Sequence, residues 1–165
     1  MFSRVTARLA AAACLSVAAA AGLGAAAAPQ LTFTDTKLKN GLRVIIHEDH
    51  TAPVYSIAVV YNAGSRDERQ GRTGFAHLFE HMMFKGSKNL EPDQHPSWLT
   101  SIGGQANATT NEDATVYWET VPSHYLPLVL WLEADRMASL RVDESIFKNE
   151  REVVKEERRM RVDNP

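Results

Sequence analysis

The run Val54-Tyr55-Ser56-Ile57-Ala58-Val59-Val60-Tyr61 is apolar on both faces toward its end, which predicts a central strand covered from two sides. Ahead of it, Leu31 to Thr34 and Leu42 to Glu48 read as two strands joined into a hairpin through the Asn40-Gly41 turn signal. Asn62 to Arg72 is a loop rich in glycine and charge, and the period then lengthens. Between Gly74 and Gly86, Phe75, Leu78, Phe79, Met82 and Met83 recur as they do on a buried helix. Pro92 to Ile102 predicts a short second helix with Trp98 and Leu99 inward. Gly103-Gly104 then punctuates the chain, and β-prone residues give strands around Asn107 and Val116, the first an edge strand. Ser123 is placed to cap a long helix through Leu140, with Leu126, Val129, Leu130 and Met137 inside, and Asp143 to cap the last one. Strands first and long helices later predict an α+β fold, a mixed and largely antiparallel sheet covered on one face by helices.

The first 28 residues follow a different rule. Arg4 and Arg8 precede an alanine-rich apolar run from Leu9 to Ala28, and small residues stand before Pro29, as in a secretory signal peptide over 1–28. A retained membrane anchor and a mitochondrial presequence are the alternatives, since Met1 to Thr34 holds two arginines and no acid. The polyalanine run fits export better, and the bacterial periplasm is the expected location. Cys14 leaves with the leader, so no disulfide forms and no stable membrane span remains after processing. Residues 29–165 are then a single domain. Without Arg4 and Arg8, its 16 basic and 20 acidic side chains offer no basic excess to hold nucleic acid.

Candidate chemistry concentrates in the first helix. His77 and His81 lie one turn apart with Glu80 beside them, so the three share an arc of about 60–100°. Two imidazoles grip one ion, and a carboxylate next to the activated water serves as general base. The order His-x-x-Glu-His is the inverted-zincin signature. Along the last segment, Ile146, Glu150, Val153, Glu157 and Met160 share one helical stripe, while Glu152 and Glu156 fall outside it, with pairs such as Lys148 and Glu152 on the solvated face. A carboxylate on an apolar stripe is costly unless paired, protonated or bound to a metal, so both Glu150 and Glu157 are candidates for the site.

With these residues the chain resembles the N-terminal catalytic part of the pitrilysin-like, or insulinase, metallopeptidases, a likeness that runs from about Leu31 to the end. The downstream pattern Glu150-Arg151-Glu152-Val153 followed by Glu157 is similar to that family's. The resemblance implies one zinc per chain held by His77, His81 and Glu157, with Glu80 as catalytic base and Glu150 as a supporting acid behind the ligands. It implies that Asn107 and Ala108, in an element similar to the family's Asn-Ala-x-Thr, bind the substrate backbone by strand addition. It also implies an incomplete, C-terminally truncated half-domain of the processing-peptidase type, with peptides or unfolded segments as substrate and a second homologous domain or subunit completing the chamber. The alternative from another class is a non-catalytic binding or assembly subunit of the same fold. Such subunits tend to have lost motif residues, and this chain keeps all four. A closed structural zinc site needs a fourth protein ligand, and no thiolate remains to supply it.

Overall fold

The computed structural model describes residues 30–163, so the expected signal peptide lies outside the described residues. The chain divides into two compact units, Met1–Asp49 and His50–Pro165. In the first, strands β1 (Thr34–Lys37) and β2 (Arg43–Ile46) pair antiparallel. Gly41 turns the chain at φ +93°, a value that favours glycine, and Asn40 Oδ1 accepts from Leu42 N at 3.1 Å. The hairpin forms where the turn signal put it. Its first strand begins three residues later than Leu31, because the stretch before Thr34 has no partner strand opposite it.

The second unit contains β3 (Val54–Tyr61), helix α1 (Phe75–Met82), helix α2 (Gln94–Ser101), β4 (Gln105–Thr110), β5 (Thr115–Pro122), α3 (Leu126–Ser139) and α4 (Glu144–Arg158). Its sheet is antiparallel in the order β3-β5-β4. The central strand is therefore β5 and not β3. In β3, Tyr55, Ile57, Val59 and Tyr61 are partly covered while Val54 and Val60 are exposed, so the apolar run alternates as an edge strand does. In β5 the strict alternation buries Thr115, Tyr117, Glu119 and Val121 on one face.

Helices cover that face. Leu99 of α2 and Val129 and Leu132 of α3 meet Val121 and Leu90 in the main core, with Tyr55, Ile57 and Trp98 packed around it. The inward face of α3 differs from the expected one. Leu126, Leu130 and Met137 are exposed, and Glu133, Asp135 and Arg136 are buried, because α3 turns a charged group toward the sheet. Ser123 begins a 3₁₀ turn without capping through its side chain.

A smaller core holds α1 against α4 through Leu78, Met82 and Val154, with Ile146 and Phe147 alongside. Asp143 caps α4 as expected, its Oδ1 accepting from Ile146 N at 2.9 Å. The α4 stripe runs through Val154 rather than Val153, and Met160 is exposed in a π-helical turn, Arg159–Asp163. Lys148 pairs with Glu144, one turn earlier than expected, because Glu152 is taken by Arg151 and Lys155. Among the described residues no helix is long and apolar enough to cross a membrane.

Candidate metal centre

Helix α1 opens at Gly74, whose φ of +91° suits a residue without Cβ and which has no side chain to cap the helix. The cap comes from the preceding loop. Glu68 accepts from Gly74 N through Oε2 and from Ala76 N through Oε1, both at 2.8 Å, putting a carboxylate at the positive end of the helix. The loop is seated on the far turn of the sheet by Ser65 N to Asn111 O and Arg66 N to Glu112 O, at 3.0 and 2.9 Å. The helix is amphipathic and not buried all round, for Phe75 and Phe79 are 40% and 47% exposed.

Its third face carries the histidines. His77 Nε2 lies 3.2 Å from His81 Nε2, and Glu157 of α4 meets both, Oε2 at 3.5 Å from His77 Nε2 and Oε1 at 3.7 Å from His81 Nε2. One donor atom from each of the three falls within 4.8 Å of the others. A tetrahedral zinc with bonds near 2.0–2.2 Å spaces its ligands about 3.3–3.5 Å apart, so the set fits zinc with little movement. The side chains of His77, His81 and Glu157 remain 32%, 19% and 26% exposed, leaving an open side, as a centre that admits water and substrate requires.

Behind the three donors stands Glu150, one of the most buried carboxylates among the described residues. Its Oε2 is 3.3 Å from His81 Nδ1, and its Oε1 receives Asn149 Nδ2 at 3.2 Å and Lys85 Nζ at 3.4 Å. An ionised carboxylate only accepts, so it places the imidazole proton on Nδ1 and leaves the Nε2 lone pair toward Glu157 and His77. Burial depresses the Lys85 amine, but its hydrogen bond to Asp93 and the charge of Glu150 outweigh that and raise its pKa.

A cleft of about 940 Å³ runs over the three donors, lined by Glu80, His77, His81 and Glu157 on the helix side and by Asn107, Ala108, Thr109 and Thr110 of β4 on the other. Among the described residues, strand β4 has β5 on one side only. On its other side the Ala108 amide is met by its neighbour, Asn107 Oδ1 accepting at 2.8 Å. All seven residues singled out in the sequence thus border one cleft or support it. Sequence reasoning missed Glu68, Lys85 and Thr110. Lys85 stands four residues after His81, just past the end of α1, and Thr110 closes the Asn-Ala-x-Thr-like element that starts at Asn107, whereas Glu68 acts from a loop with no local signal.

A sheet backed by helices here offers His-x-x-Glu-His beside a carboxylate from a later helix, the residue pattern of the inverted zincins. The comparisons agree. The family model of Insulinase (Peptidase family M16) matches residues 43–165, and the chain belongs to that family. A zinc protease of Helicobacter pylori is 41% identical over 128 residues, covering 77% of this chain and 29% of its own length. Among solved structures, a protease from Helicobacter pylori aligns with a TM-score of 0.78 and 38% identity, over 82% of this chain and 32% of that one. Pitrilysin aligns with a TM-score of 0.73 and 29% identity, over 81% of this chain and 14% of its own. The chain spans about a third or less of the proteins it matches.

Proposed function

We propose that this chain carries the zinc centre of a metalloendopeptidase that hydrolyses peptides or unfolded segments, with one zinc held by His77, His81 and Glu157. The observation that supports this most is the convergence of the three donor atoms, from two helices, on the open side of a peptide-sized cleft. Zinc bound there supplies Lewis acidity and makes water a nucleophile near neutral pH.

The remaining roles belong to the protein. Glu80 takes a proton from the attacking water and passes it to the leaving amine, acting as base and then as acid. Glu150 fixes the His81 tautomer, and Lys85 holds Glu150 in turn. The free edge of β4 at Asn107 and Ala108 receives the substrate backbone as an added strand, which reads main chain more than side chain. A second homologous domain or subunit completes the chamber around the peptide. An exported, periplasmic location rests on the leader-like residues 1–28.

The test is cleavage of a quenched fluorescent peptide by the zinc-loaded chain and by Glu80→Gln, with zinc content measured in both. The proposal expects turnover in the parent and a loss of 100-fold or more, on the order expected of an acid–base group, at unchanged zinc content. Zinc retained in both proteins with no cleavage by either, even with the remainder of the polypeptide supplied, favours the assembly-subunit reading.

A further inference from the structure

A glutamate side chain on a half-exposed helix face has several rotamers, and proton transfer needs one of them. The fold provides a holder. Thr110, the last residue of β4, places Oγ1 2.5 Å from Glu80 Oε2. Its cross-strand partner Thr115 lies with Oγ1 3.3 Å from that of Thr110 and donates to Ala63 O at 3.0 Å.

The protons can be assigned by counting, since each hydroxyl carries one. Thr115 gives its proton to the Ala63 carbonyl, which has none to return. Glu80, when ionised, only accepts. The Thr110 proton therefore goes to Glu80 Oε2, at a separation in the range of charge-assisted O–H···O⁻ bonds of about 2.5–2.7 Å. Oε1 is left for chemistry. The post itself is stiff, because threonine is β-branched and sits at a paired strand position.

We propose that Thr110 is a positioning residue for Glu80, holding the carboxylate in one orientation toward the cleft. The inference rests on the reading of Glu80 as the base. It adds that the base and the strand offered to substrate are referenced to one element, β4, so a peptide paired at Asn107 and Ala108 is registered against the group that moves its proton. Misplacing a reacting group by about 1 Å costs on the order of a hundredfold in rate.

Two variants separate the hydroxyl from its shape, Thr110→Val and Thr110→Ser. Glu80 rotamer populations, measured by NMR side-chain couplings in the labelled zinc-loaded chain, need no turnover, and kcat and KM on the fluorescent peptide supply the second reading. We expect one dominant Glu80 rotamer in the parent and averaging in Thr110→Val. We also expect kcat to fall about tenfold to a hundredfold with KM within about twofold and zinc content unchanged, and Thr110→Ser to restore both. The same Glu80 rotamers in Thr110→Val as in the parent, or equal damage in Val and Ser, overturns the proposal. Absence of turnover in the parent, even with the remainder of the polypeptide supplied, contradicts the role of Glu80 as base, and the rotamer comparison then decides the positioning role alone.

Discussion

Replacing Arg136 with methionine strips the fixed cation from a buried group of charges while keeping most of the side-chain length. Arg136 is 2% exposed. Its Nε donates to Glu133 Oε2 at 2.9 Å, its Nη2 contacts Glu133 Oε1 and stands 3.8 Å from Glu119 Oε1, and its guanidinium lies 4.6 Å from the Tyr117 ring centre and 5.7 Å from that of Phe84. His95 Nε2 closes the group at 2.6 Å from Glu119 Oε1. Without the guanidinium, two carboxylates remain buried with one imidazole. Breaking a buried ion pair by removing one partner costs about 3–5 kcal/mol, and losing the cation–π contact adds roughly 1. Against a total stability of about 5–15 kcal/mol, that is a large fraction. Glu133 has one escape, to take up a proton, and burial already raises its pKa to about 7 despite Arg136. The loss should therefore be full at pH 8 and smaller at pH 5.5. Urea unfolding followed by circular dichroism at the two pH values measures it, with Arg136→Met/Glu133→Leu alongside, where removal of both charges should recover much of the loss. A loss under about 1 kcal/mol at pH 8, or a double variant no better than the single, refutes the reasoning.

The same carboxyl sets a pH dependence. Because burial first of all raises Glu133 from 4.5 to about 7, the folded state holds its proton more tightly than the unfolded chain, so this group's contribution makes stability fall as pH rises from about 4.5 to about 7. Glu133→Gln should flatten that fall in urea midpoints taken across the window, and an unchanged slope contradicts the assignment. Gly64→Ala tests the seat of the Glu68 loop: a Cβ there meets Asn111 O at 2.5 Å and the Glu112 carbonyl at 2.6 Å, all backbone, although the residue's extended φ suits alanine. Displacing the loop endangers its two backbone bonds and the Glu68 cap, so a destabilisation of about 2–4 kcal/mol is expected in thermal or urea unfolding, and one below about 0.5 shows that the loop gives freely. Zinc in excess should raise the melting temperature of the parent and leave that of Glu157→Gln nearly unmoved, since a ligand bound at a thousand times its Kd stabilises by about 4 kcal/mol. Equal shifts in both place the ion elsewhere.

What the sequence disclosed and what it hid divide along one physical line. The α1 motif, the Asp143 cap and the Asn40-Gly41 turn are local, and each stands where its spacing put it. Glu150 and Glu157 were legible because a helix repeats and a carboxylate on an apolar stripe is conspicuous. The choice between Val153 and Val154 was not, since both fit between the two glutamates, and Leu78 and Met82 of α1 decide it. The α3 face was misread for a related reason. Glu133 and Arg136 look like surface charges until Glu119 of β5 and His95 of α2 close around them, and only the tertiary fold brings those elements together. Strand β3 showed the reverse failure, an apolar run that suits an edge as well as a centre until its neighbours are known. Thr110 and Glu68 act on α1 from β4 and from a loop, through one and two hydrogen bonds that leave no periodic trace.

The central claim is that His77, His81 and Glu157 hold a single zinc. Metal content per chain, measured on the purified protein beside His77→Ala and Glu157→Gln with folding checked by circular dichroism, tests it most directly. The account predicts close to one zinc in the parent and clear loss in both folded variants. A folded parent that binds no zinc, or variants that keep it, contradicts the account.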